Sequence, residues 1–196
     1  MAVKSPIKER NGIYFITFTC CNWLPLIQQT NSYDTVYKWF DYLKSKGHYI
    51  IGYVIMPNHL HALIAFRNSD KNINTIISNG KRFIAYEIVN RLEQGGTMET
   101  TETLKQLSLA VADSDKKRGK LHQVFKPSFD WKECRNNDLI KQKLDYMHDN
   151  PCKGVWNLAI NAVDYPHSSA IYYQTGEQGI YEITGYTFLE DLDLTK

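Results

Sequence analysis

The stretch Val54-Ile55-Met56-Pro57-Asn58-His59-Leu60-His61-Ala62-Leu63-Ile64-Ala65 decides how this chain is read. Apolar residues run up to Met56 and resume at His59. Pro57-Asn58 between them is a turn or bulge signal, because proline lacks a ladder donor and asparagine tolerates turn backbone. Residues 49–56 and 59–66 therefore read as two strands with a short connection, which favours an antiparallel hairpin. Alternation along the second strand puts His59 and His61 on one face and Leu60 and Ala62 on the other. Two imidazoles side by side on a rigid strand form half of a metal site.

Outward from the hairpin, residues 13–20 (Ile-Tyr-Phe-Ile-Thr-Phe-Thr-Cys) are β-branched and aromatic and read as a buried strand. Residues 32–46 place Val36, Trp39, Phe40 and Leu43 at helical spacing, and Gly47 suits the C-terminal cap. Residues 72–92 are again helical in pattern, with Asn79-Gly80 as a break that would leave Lys81 and Arg82 near the start of a second piece. Residues 93–123 carry Gly95-Gly96, several Thr and Glu, and the cluster Lys116-Lys117-Arg118-Gly119-Lys120. They read as a variable surface excursion with room for a short helix over 103–112, and the basic cluster suits phosphates. Residues 124–132 read as a short edge strand containing Pro127. Asn136 or Asn137 caps a final helix through Leu139, Ile140, Leu144 and Met147, and Pro151 stops it near Asn150. The tail, 177–196, carries more acid than base.

Strand, helix, hairpin, helix, excursion, strand, helix is an α+β order. It predicts an antiparallel sheet with helices packed mainly on one face, in one domain over 1–196. A chain of 196 residues with 43% hydrophobic residues can build a sizeable core. The formal net charge of +2 gives no global basic signal, so any nucleic-acid role rests on local patches. Cys20, Cys21, Cys134 and Cys152 form no CxxC pair and read as reduced thiols. No stretch approaches the ~18 apolar residues of a membrane span, and a cytoplasmic protein is expected.

The histidine pair needs a third ligand and a reaction. Tyr146 and Asn150 lie four residues apart, so they share a helix face, with Gln142 and Lys143 beside them. An amide oxygen suits Mg²⁺ or Mn²⁺, and a phenol one turn away can attack phosphorus if a cation assists it. On spacing alone, Tyr146 is equally one of 13 tyrosines packing against a sheet.

Three segments resemble a known family in the right order. Residues 56–64 (Met-Pro-Asn-His-Leu-His-Ala-Leu-Ile) resemble the histidine-hydrophobic-histidine (HUH) motif of single-tyrosine transposases. Residues 144–154 (Leu-Asp-Tyr-Met-His-Asp-Asn-Pro-Cys-Lys-Gly) resemble the tyrosine helix of the REP-associated branch, and residues 165–173 the segment that follows it. The resemblance runs from about residue 12 to 175. It implies a ferredoxin-like fold and metal-dependent cleavage and strand transfer of single-stranded or hairpin DNA through a 5′-phosphotyrosine. It places Tyr146 as nucleophile and His59, His61 and Asn150 as ligands of Mg²⁺ or Mn²⁺, in a monomer or homodimer. His148 receives no catalytic role. Lys81, Arg82, Lys132, Arg135 and Lys153 are candidate phosphate contacts; Trp131 and Trp156 either stack bases or pack the core. The chain departs from the family at Cys152, in the long 93–123 segment and in the tail. The competing reading is a domesticated, non-catalytic nucleic-acid-binding protein on the same fold.

Overall fold

The computed structural model describes residues 5–189 and 192–195. Four strands form one sheet: β1 (Gly12–Thr19), β2 (Tyr49–Met56), β3 (His59–Phe66) and β4 (Asp130–Glu133). Their spatial order is β2-β3-β1-β4 and every pairing is antiparallel. This is the split βαβ arrangement: β3 lies between β2 and β1, and β1 lies between β3 and β4. The ferredoxin-like α+β expectation therefore holds. The helices are α1 (Leu26–Gln29), α2 (Tyr33–Ser45), α3 (Ile73–Gly95), α4 (Met98–Leu109), α5 (Asp113–Lys116), α6 (Asn137–His148) and α7 (Ala170–Thr175).

The helices divide between the two faces. The crossovers through α2 and α3 cover one face, where Val36, Trp39, Phe40 and Leu43 meet Tyr14, Ile16, Phe18 and Ile64 in the larger core. Arg91 of α3 ties it to α2 through Asp34 at 2.9 Å and pairs with Glu87 on its own helix at 2.8 Å. The opposite face carries a smaller core of Phe15, Ile51, Val54, Leu63 and Ala65 under Ile140, Leu144 and Met147 of α6. The tail contributes to both: Tyr181 and Ile183 to the first, Leu189, Leu192 and Leu194 to the second.

Two elements differ from the sequence pattern. α3 runs unbroken through Asn79-Gly80. A Cβ at Gly80 would lie 2.3 Å from the Trp39 ring, so this glycine admits a close crossing with α2 and does not end a helix. The 93–123 excursion is folded. Thr97 and Thr100 form a reciprocal capping box that starts α4, and Leu107 is buried in the main core. Gly95-Gly96 suggested a loop, but Gly96 is a left-handed cap between two helices.

α6 reaches the sheet through a second close approach. β2 shifts register between Ile50 and Gly52, so both Ile51 and Gly52 face α6. A Cβ at Gly52 would stand 2.6 Å from Leu144 Cδ2 and 2.9 Å from Met147 Cε. No helix among the described residues is long and apolar enough to cross a membrane. All four cysteines are unpaired, with Cys20, Cys21 and Cys134 buried.

Candidate active site

Register builds the site. Thr17 of β1 lies opposite His61 of β3, and Thr19 opposite His59. Opposed residues of an antiparallel pair share a face, so Thr17 can reach His61 directly. Its Oγ1 lies 2.6 Å from His61 Nδ1. Phe15, two residues earlier and on the same face, stacks on the His61 ring at 5.3 Å and 20°. The two histidine rings stand 4.8 Å apart and nearly perpendicular.

His59 is oriented by its own neighbour. Asn58 Nδ2 donates to the Trp23 carbonyl at 3.1 Å, which fixes the amide and turns Oδ1 toward His59 Nδ1 at 2.7 Å. Nδ1 must then carry the proton, and Nε2 keeps a lone pair. If Thr17 accepts in the same way, His61 Nε2 is equally available. Burial pushes His59 down to about 4 and His61 to about 3, the latter helped by His59 and Lys143. Both imidazoles are neutral at pH 7, the state a metal ligand requires.

Helix α6 delivers Tyr146 to this pair. Asn136 caps its first turn by accepting from Leu139 N at 2.9 Å. Its apolar stripe of Ile140, Leu144 and Met147 lies on the sheet. Tyr146 stands at the edge of that stripe, with 52% of its surface exposed. Its ring meets His61 at 5.5 Å and Phe15 at 6.0 Å. Lys143, one turn earlier, holds its Nζ 5.4 Å from the Tyr146 ring centre and 5.2 Å from that of Phe15. A phenol, a cation and two neutral imidazoles thus converge within one chain.

The remaining candidates separate. Asn150 follows α6 in a 3₁₀ turn with Pro151 and donates its Nδ2 to the Tyr146 carbonyl at 2.8 Å. Its Oδ1 has no donor among the described residues. His148 points elsewhere, with Nε2 2.8 Å from Ser169 Oγ and burial holding it near 4. No group of three His, Cys, Asp or Glu that could hold a metal occurs among the described residues.

Of the candidate phosphate contacts, Lys81 is buried. Its Nζ donates to the carbonyls of Lys126 at 2.8 Å, Pro127 at 3.4 Å and Ser128 at 3.0 Å. Burial, aided by Lys120, lowers it to about 8. It fastens the 126–128 turn, so the reading of Lys81 as a free phosphate contact is corrected. Arg82 is exposed and donates to Asn79. Lys132 is exposed, Arg135 pairs with Glu133 at 2.7 Å, and Lys153 with Asp149 at 2.5 Å. Trp131 packs edge-on to Tyr14 against the larger core and Trp156 against the smaller, so core packing is the role seen for both.

The pattern of residue types pointed to His59, His61 and Tyr146. Thr17, Asn58, Phe15 and Lys143 were missed as site residues. Asn58 beside His59, and Lys143 one turn before Tyr146, were the available signals. Thr17 and Phe15 depend on strand register, which one sequence does not display.

No protein-family model and no curated protein sequence matches this chain. Among solved structures, a REP-associated tyrosine transposase bound to a REP hairpin superposes with a TM-score of 0.59 at 17% identity, covering 100% of this chain and 98% of that one. A protein from Deinococcus radiodurans R1 described as a candidate transposase aligns at 12% identity over 74% of this chain and 95% of that one, with a TM-score of 0.32 too low to carry an argument. Over its whole length, the chain has the fold of a REP-associated tyrosine transposase.

Proposed function

We propose that this protein is a metal-dependent transesterase that cleaves and rejoins single-stranded or hairpin DNA, as a transposase or a processor of repeats does. The observation that carries the reading is Tyr146, half exposed and edge-on to His61 at 5.5 Å within the same chain. The similar fold holds a REP hairpin, which supports a hairpin substrate here.

The residues fit a divalent cation. The His59 and His61 rings stand 4.8 Å apart, each tied at Nδ1 so that Nε2 is the nitrogen left for a metal, and Asn150 Oδ1 is unclaimed among the described residues one turn beyond the tyrosine. Mg²⁺ or Mn²⁺ held by these three donors would supply charge neutralisation at the scissile phosphate. Tyr146 Oη attacks phosphorus; the Oη–P bond forms and the P–O3′ bond breaks. The phenol proton passes to solvent and the departing 3′ oxygen takes one up, leaving a 5′-phosphotyrosine and a 3′-OH. Lys143, its Nζ 5.4 Å from the Tyr146 ring centre, places a positive charge beside the attacking side chain and the phosphate it would meet. One phosphodiester replaces another, so a second 3′-OH can reverse the step and join strands. Because Tyr146 and His61 meet within one chain, the arrangement supports action by a monomer.

A labelled hairpin oligonucleotide with Mg²⁺ or Mn²⁺ tests this. Wild type should give a denaturant-stable protein–DNA adduct, and Tyr146→Phe none. DNA binding without any adduct would reject catalysis in favour of a non-catalytic binder. An equal adduct in the variant would reject Tyr146 as the nucleophile.

A further inference from the structure

We propose that the groove between α3 and residues 115–127 is a second DNA site, which receives the single strand continuing past Trp23 from the His59/His61 site. The inference rests on the proposed function for its substrate and concerns a surface outside the catalytic residues.

The groove encloses about 690 Å³. Its walls carry five cations, Lys81, Arg82, Arg118, Lys120 and Lys126, against two carboxylates, Glu93 and Asp115. Asp115 pairs with both Arg118 and Lys120. No carboxylate pairs with Lys81, Arg82 or Lys126 among the described residues. Lys81, buried and spent on three backbone carbonyls, lends the floor positive charge but makes no phosphate contact itself. A local excess of positive charge in a concave wall, on a chain whose net charge is only +2, is the electrostatic signature of a phosphate track.

The groove also carries an aromatic ring and approaches the active site through Lys126 and Trp23. Tyr86 lines it with 69% of its surface exposed. Trp23, 57% exposed, stands between the two sites. Its ring meets His59 edge-on at 6.3 Å, and Lys126 Nζ caps it at 4.2 Å. Lys126 is itself part of the groove wall. Exposed rings interleaved with unpaired cations suit unpaired bases, because stacking needs a free base face that a duplex does not offer. The site is built by the 93–123 segment. Gln123 N bonds the Leu107 carbonyl at 2.9 Å and Ser108 Oγ donates to the Leu121 carbonyl at 2.9 Å, which sets the outer wall against α4.

Binding is measured by fluorescence anisotropy on the full chain carrying Tyr146→Phe, so that no covalent capture contributes. The probe is a labelled homothymidine strand of about 12 nucleotides. Adding Arg82→Gln with Tyr86→Ala should weaken binding about tenfold and make the salt dependence shallower by about one unit of slope. Affinity within about twofold of the parent overturns the proposal, and so does equal affinity of the parent for duplex of that length. If the added pair impairs folding, a benzophenone amino acid in place of Tyr86 gives the second arm. Crosslinked strand then supports the groove, and its absence overturns it. Failure of wild type to form an adduct would sink the transesterase reading and leave this measurement standing.

Discussion

The two faces of the sheet are built on opposite terms. Under α2 and α3, aromatic and aliphatic side chains interlock: Phe40 touches Trp39, Tyr53 and Tyr181. Under α6, two histidines stand where the pattern would place aliphatics, the core is smaller, and a tyrosine is left half in solvent. The strands are shared, so the alternation that feeds one face with Leu60, Ala62 and Ile64 feeds the other with His59, His61 and Leu63. The sheet can hold two desolvated imidazoles because its other side supplies the stability.

Substitutions should separate the faces. The largest effect is expected from Tyr146→Phe. Adduct formation should fall below detection while the melting temperature barely moves, because the hydroxyl touches no buried partner. A large loss of stability would instead assign Tyr146 to the core. Next comes Phe40→Ala on the opposite face, which should cost about 3–5 kcal/mol in urea unfolding. Adduct yield per folded molecule should stay unchanged; a parallel loss would mean that the faces are not independent.

A smaller effect tests the orientation of the imidazoles. Asn58→Ala frees His59 to rotate and should weaken Mn²⁺ binding by about 10–100-fold, as outer partners of ligating histidines usually do. Unchanged affinity in a metal titration would remove Asn58 from the site. The smallest concerns His148, which is held near 4 in the folded state against about 6.5 unfolded. The unfolded chain therefore binds this proton first as pH falls. Stability is full above about 6.5 and declines toward 4. His148→Gln should flatten that decline, by on the order of 1 kcal/mol at pH 6. Identical pH profiles would place the acid sensitivity elsewhere.

The elements with clean periodicity were legible in the sequence: β1, the hairpin, α2 and α6 all fall where alternation or helical spacing puts them. α4 was obscured by its Thr and Glu content and by Gly95-Gly96, because its helicity depends on a capping box and on burying Leu107. Asn79-Gly80 misled for the converse reason: a glycine that serves a neighbouring tryptophan looks the same in sequence as one that ends a helix. Lys81 looked like a surface cation because three carbonyls supplied by a turn far along the chain are invisible from its neighbours. The site was half legible. Residue types and spacing indicate His59, His61 and Tyr146, whereas Thr17 and Phe15 reach His61 only through strand register.

The Tyr146–His61 contact also has a consequence for biosynthesis. Both histidines and the strands beside them are made early, whereas α6 is the last long helix to be synthesised and follows the last strand. Chains grow from the N-terminus at about 5–20 residues per second. A nascent chain can therefore assemble its imidazole pair on β1, β2 and β3 before Tyr146 has been made. On the proposed mechanism, reactivity toward DNA would be acquired only once α6 settles over Gly52. A truncated product ending before α6 would keep the imidazoles and, on that mechanism, lack the nucleophile.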